Sequence, residues 1–240
     1  MISEGLSGLR TFFFQSQKMK LFFIWFIFIV LLMCAWIIGE SKTDRTVAVS
    51  AFVCGVSTFF FWSCKNRISL KGMMSPRKKF VLIGGLGAVW AESVFWFFEK
   101  IFGASGVAAS PVLALDLLVT MPWYIMMLFF LFKVETKYHY SYTEILLLGG
   151  VYELGADGIL AQVFDGFTLS NLFSAFMVIP LFVIVYSVMV LPPSYLLRDE
   201  VDKIRETSPQ GTHKYLYALL PFLGLIPYLL INLLVSVGSG

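Results

Sequence analysis

"LFFIWFIFIVLLMCAWIIG", Leu21 to Gly39, runs for 19 residues without a charged side chain. Two readings compete for such a run near the start of a chain. Lys18 and Lys20 precede it, as the basic part of a secretory signal would. The apolar part of a signal, however, covers roughly 7 to 15 residues and leads to a small-residue cleavage site. This run is longer, and no A-x-A pattern follows it. At 1.5 Å of rise per residue, about 20 apolar residues cross a hydrocarbon layer of roughly 30 Å. The stretch therefore reads as a retained membrane helix, and that choice sets the solvent for everything downstream.

Six more segments meet the same length criterion, giving expected spans at 21–39, 46–63, 80–101, 110–132, 144–164, 170–191 and 215–236. Turn and charge signals separate them, including "GESKTDR", "GASGVAAS" and "RDEVDKIRETSPQGTHK". Unpaired backbone groups are too costly in lipid for open strands, so segments of this length must be helices. Composition agrees: of 240 residues, 58% are hydrophobic and 14% charged, and the mean hydropathy is +0.82. The expected fold is an all-α bundle of about seven transmembrane helices in one domain over 1–240, with no separate soluble domain.

Basic residues set the orientation, because cytoplasmic loops retain Lys and Arg. The N-terminus and the second, fourth and sixth loops together carry 15 of the 18 basic residues. The N-terminus is therefore expected in the cytoplasm and the C-terminus outside, in the cell membrane. From Lys65 to Lys79 the chain holds six basic and no acidic residues. Lys65, Arg67, Lys71, Arg77, Lys78 and Lys79 suit anionic lipid headgroups as well as serving as a topology signal. No nucleic-acid partner is expected.

Against this background "GGVYELGADG", Gly149 to Gly158, stands out, since it places Glu153 and Asp157 one helical turn apart in an apolar span. No basic residue occurs in 140–197, nor in 101–132. Glu92 in the third span and Asp116 in the fourth complete a set of four intramembrane acids. Counted from span ends at 1.5 Å per residue, Glu92, Glu153, Asp157 and Asp116 fall at about 18, 14, 20 and 21 Å from the cytoplasmic side. Gly149, Glu153, Asp157 and Ala161 recur every four residues, as do Gly84, Ala88 and Glu92, so small residues and acids share helix faces that permit close approach. "GAVWAE" at Gly87 to Glu92 also echoes "GGVYE" at Gly149 to Glu153.

Ionised carboxylates in lipid cost at least about 2.5 to 3.5 kcal/mol each, so these four need protons, water or a bound cation. The expected cation or proton site is thus Glu92, Asp116, Glu153 and Asp157. Trp90, Trp123, Tyr124, Tyr152 and Thr120 are the expected cavity lining, aromatic faces being suited to a positive guest. Pro122, Pro180, Pro221 and Pro227 mark places where a helix could break or kink.

Other chemistry finds little support. Cys34, Cys54 and Cys64 have no CxxC pairing, and His139 and His213 are the only histidines, so no metal site and no cofactor is expected. P-loop, GxSxG and HExxH motifs are absent. Three function classes remain. A proton- or cation-coupled transporter or channel accounts most directly for acids without basic partners; its small size points to a homo-oligomer. A membrane-embedded enzyme could use the acids for proton transfer on a lipid or isoprenoid. In a non-catalytic scaffold or subunit, the acids would only join helices.

Overall fold

Helix boundaries follow local signals. Ser41, in extended backbone, accepts a hydrogen bond from the Asp44 amide at 3.2 Å and starts a helix whose first turn carries that acid. Pro76 opens another, where its missing N–H costs nothing, and Gly103 closes it in the left-handed conformation at φ 61°. A computed structural model of the chain describes residues 17–65, 68, 72, 74–156, 167–205 and 213–226, and the regular elements among them are all helical. In chain order they are α1 (Gln17–Ile38), α2 (Lys42–Cys64), α3 (Pro76–Phe102), α4 (Leu113–Lys137), α5 (Tyr142–Ala156), α6 (Leu169–Leu196), α7 (Arg198–Ile204) and α8 (His213–Tyr217), followed by a 3-10 turn at Leu220–Gly224.

Four of these, α2, α3, α4 and α6, are long and apolar enough to cross a membrane, and α1 contributes a shorter apolar stretch, Phe23–Ile38. The expected fifth span is seen as the 15 residues of α5, and its remainder lies outside the described residues. The most apolar spanning helix, α6, is the hub, packing against α1, α2, α3 and α5, while α3 also packs on α4 and the 3-10 turn rests on α4.

Two contacts explain why the hub can be so closely packed. Pro192 has no N–H to give the Val188 carbonyl four residues earlier. That carbonyl faces Gly87 of α3 so closely that a methyl in place of the glycine hydrogen would lie 2.3 Å from its oxygen. At Gly150 of α5 the same substitution would meet Val183 at 2.8 Å. Small residues therefore let α3 and α5 approach α6 at backbone distance, which is how helices associate where lipid offers no hydrophobic drive.

The sequence-based boundaries need three corrections. Helix α4 continues five residues beyond the expected end at 132 and buries Glu135 completely. Through Pro192 and Pro193, α6 continues to Leu196 rather than stopping at 191. The described part of the expected seventh span, 215–226, is not one continuous α-helix but the end of the short α8, a turn and the 3-10 segment. Pro221 cannot donate to Tyr217, and the hydroxyls of Tyr140 and Tyr152 donate to the carbonyls of Lys214 at 2.6 Å and Ala218 at 2.7 Å. Side-chain donors thus stabilise a break that the hydropathy of the segment conceals.

Candidate functional site

Helices α3 and α4 are antiparallel neighbours, so an acid two-thirds along α3 meets the middle of α4. Glu92, almost fully buried, accepts a short hydrogen bond from the Tyr124 hydroxyl. The next residue back, Trp123, points about 100° round the helix and donates from Nε1 to Glu153 Oε1 of α5 at 3.2 Å. One dipeptide of α4 therefore serves both glutamates of the echoed motifs, from two different faces. Asp116, wholly buried at the start of α4, accepts from the Ser110 amide at 3.2 Å, and its carboxyl also interacts with that of Glu92.

Beside this group lies a cavity of about 520 Å³. Glu92, Thr120, Tyr124 and Tyr186 form its polar wall, and Phe95 and Phe182 are among its apolar lining. The hydroxyls of Tyr124 and Tyr186 stand 3.4 Å apart, extending the line of exchangeable protons from Glu92 onto α6. Gly106 to Ala109, in the loop joining α3 to α4, border the same cavity. Glu99 pins that loop by accepting from the amides of Val107 at 2.8 Å and Ala108 at 2.7 Å, while Trp96 donates to the Pro111 carbonyl at 3.0 Å.

Several expected residues sit elsewhere. Trp90 is 45% exposed and faces away from the cavity, donating to Ser57 Oγ at 3.1 Å. Two residues along a helix turn through about 200°, so Trp90 and Glu92 cannot share a face. Trp123 and Tyr152 are buried behind the cavity rather than on its wall, each bound to the partner already named. Glu153 is likewise wholly buried and does not line it. Asp157 and Ala161 lie outside the described residues, as do Arg67, Lys71 and Pro227. Lys79 is turned inward onto Glu200 at 2.9 Å, whereas Arg77 and Lys78 are exposed.

Sequence reading missed Tyr186, Glu99 and Glu135. Tyr186 is the one tyrosine inside the expected sixth span, a signal that was available. Glu99 sits near the end of its span and resembles an interfacial charge. Glu135 falls three residues past the expected span end at 132, yet it accepts from Ser194 Oγ at 2.6 Å and its carbonyl from Arg205 at 3.0 Å. Around it the start of α3, the ends of α4 and α6 and the start of α5 gather a second polar cluster. It includes Lys214 with Glu144 at 2.6 Å, and Arg198, which donates to His139 Nε2 at 2.5 Å. Partial burial and the neighbouring Arg198 and Arg205 charges lower the pKa of His139.

Among the described residues no three His, Cys, Asp or Glu side chains come together as a metal site. The chain matches no protein-family signature, no curated protein and no solved structure.

Proposed function

We propose that this chain is a multi-pass cell-membrane protein that couples the movement of a proton or small cation to transport, with Glu92 as the exchanging carboxylate. The observation that carries this reading is the position of Glu92 on a cavity wall, in hydrogen-bonding contact with Tyr124 and beside Asp116. Carboxyl and hydroxyl groups in series can accept and release a positive guest without a fixed countercharge, and intramembrane acids are functional by default. Asp116 shares the charge with Glu92, and Tyr186 continues the path.

The reading includes seven spans with the N-terminus in the cytoplasm. Lys79, Lys137, Arg198, Arg205 and Lys214 lie at the end of the bundle opposite the loop joining α3 and α4, which supports that orientation through the retention of basic residues in the cytoplasm. The cavity then belongs to the outer half of the membrane.

Ion flux into proteoliposomes under an imposed potential tests the proposal. Glu92→Gln is expected to abolish flux in protein that still folds. Glu153→Gln, altering an acid held behind the wall by Trp123, is expected to lower the melting temperature while folded protein keeps its flux. Asp157→Asn in the same assay tests whether that carboxylate belongs to the path. Wild-type protein that carries neither protons nor common cations would overturn the reading.

A second reading draws on Phe95 and Phe182 beside Glu92. Aromatic faces near an acid suit proton transfer to an isoprenoid, where positive charge develops on carbon. Conversion of a lipid extract by wild type but not by Glu92→Gln, without ion flux, would establish that alternative.

A further inference from the structure

A second cavity, also of about 520 Å³, opens between α1, α2 and α6, far from basic or acidic side chains except at one end. Its walls are apolar, with Met33 from α1, Val56 and Phe59 from α2, and Ile184 from α6. The two hydroxyls it contains have partners within the protein: Thr58 and Ser187 stand 2.6 Å apart, so one donates to the other, and the second proton goes to a backbone carbonyl, that of Cys54 or of Ile184. The groove thus offers a guest no hydrogen bond. Val56 and Phe59 are half or more exposed, so it is open along its side to whatever surrounds the helices.

One end is different. Trp62 lines the groove, and the Lys65 ammonium lies 3.4 Å from the centre of its ring. Tyr142 and Tyr195 pack edge-on against the same indole, at 5.4 and 5.1 Å between centroids, and fix it in place. Among the described residues Lys65 forms no ion pair. An apolar slot of ligand size, open to hydrocarbon and ending at an aromatic-anchored ammonium, matches a molecule with a long alkyl chain and a negative head. The alkyl half fits any phospholipid; the head half favours an anionic one, since a zwitterionic head carries no net charge for Lys65 to take.

We propose that this groove seats one acyl chain of an anionic glycerophospholipid from the surrounding leaflet, with the headgroup phosphate on Lys65. The inference is independent of the ion reading, because the groove shares no residue with the Glu92 cavity.

Native mass spectrometry of the full chain tests it, after reconstitution in vesicles of equal phosphatidylglycerol and phosphatidylcholine and mild extraction. Wild-type protein is expected to retain phosphatidylglycerol in preference by about fivefold, the effect of one basic residue at the membrane surface. Lys65→Gln should bring the ratio toward one and Lys65→Arg should preserve it. Val56→Trp, which fills the open side, should reduce retention of both lipids. Equal retention by the wild type, or a preference unchanged in Lys65→Gln, would overturn the proposal. So would a dimer that Val56→Trp disrupts without loss of lipid, since a second copy would then be the occupant.

Discussion

At the scale of single residues, the question is how an acid is held in an apolar bundle. Tyr124 and Trp123 answer it, since each supplies a proton donor that remains neutral and brings a large apolar body to the core. Removing the hydroxyl of Tyr124 would take one hydrogen bond from Glu92, and loss of a partner from a buried polar group costs about 1 to 3 kcal/mol. Tyr124→Phe is therefore expected to lower the melting temperature in detergent and to impair flux, whereas Tyr215→Phe, at an exposed position, should do neither. His139 gives a prediction of a different kind. Arg198 donates to its Nε2, which demands a neutral ring, and its pKa lies below the ordinary value of about 6.5. As pH falls through that ordinary value, the unfolded chain gains a proton that the folded chain resists, so stability falls. Below the lowered folded value the loss stops growing. Melting temperatures measured from about pH 7 to 5 should decline in wild type, and the decline should be shallower in His139→Gln.

At the scale of elements, the legible features were those carried by long runs of one character. The apolar stretches of α2, α3, α4 and α6 could be read directly, because length and hydropathy alone qualify a helix to span. The small-residue face of Gly84, Ala88 and Glu92 also implied close approach, and Gly84 and Ala88 are indeed buried in the bundle. The ends of elements were harder. Continuation of α6 through Pro192 and Pro193 depends on neighbours that accommodate the freed carbonyls, which no local pattern announces. The break after Tyr217 depends on hydroxyls from Tyr140 and Tyr152, more than 60 residues away in sequence. Gly87 tests the packing at the hub most sharply. A methyl there meets a carbonyl that cannot move without bending α6, so Gly87→Ala should destabilise by about 1 to 3 kcal/mol. Gly72→Ala, where nothing lies within 4 Å, should leave the melting temperature unchanged.

At the scale of the whole molecule, a depth count made helix by helix placed the acids at a common level, and the fold brings Asp116 close enough to Glu92 for their carboxyl groups to interact. The count did not reveal that Glu153 lies on the other side of α4, because sequence gives depth along a helix but not the azimuth of neighbours. The cavity was similarly out of reach: it needs Tyr186 from α6 and the loop pinned by Glu99, brought together only by tertiary packing. The two ends of the bundle are chemically unlike. Near the α3 to α4 loop, amides and carboxylates close the cavity; at the other end, ion pairs tie α3, α5, α7 and α8 together through Lys79 with Glu200 and Lys214 with Glu144. If the basic end is cytoplasmic, a cysteine introduced at Ala109 should react with an impermeant thiol reagent added outside intact cells, and one at Lys203 should react only after lysis. The reverse pattern would invert the bundle.

The central claim is that the Glu92 carboxyl itself gains and loses the transported positive charge. Infrared difference spectroscopy on reconstituted protein, recorded on a step in pH and on a step in cation concentration, observes this without relying on turnover. The account predicts a carboxyl C=O stretching band that changes on the step in wild type and is lost in Glu92→Gln. A difference spectrum in which that band persists unaltered in Glu92→Gln would contradict it.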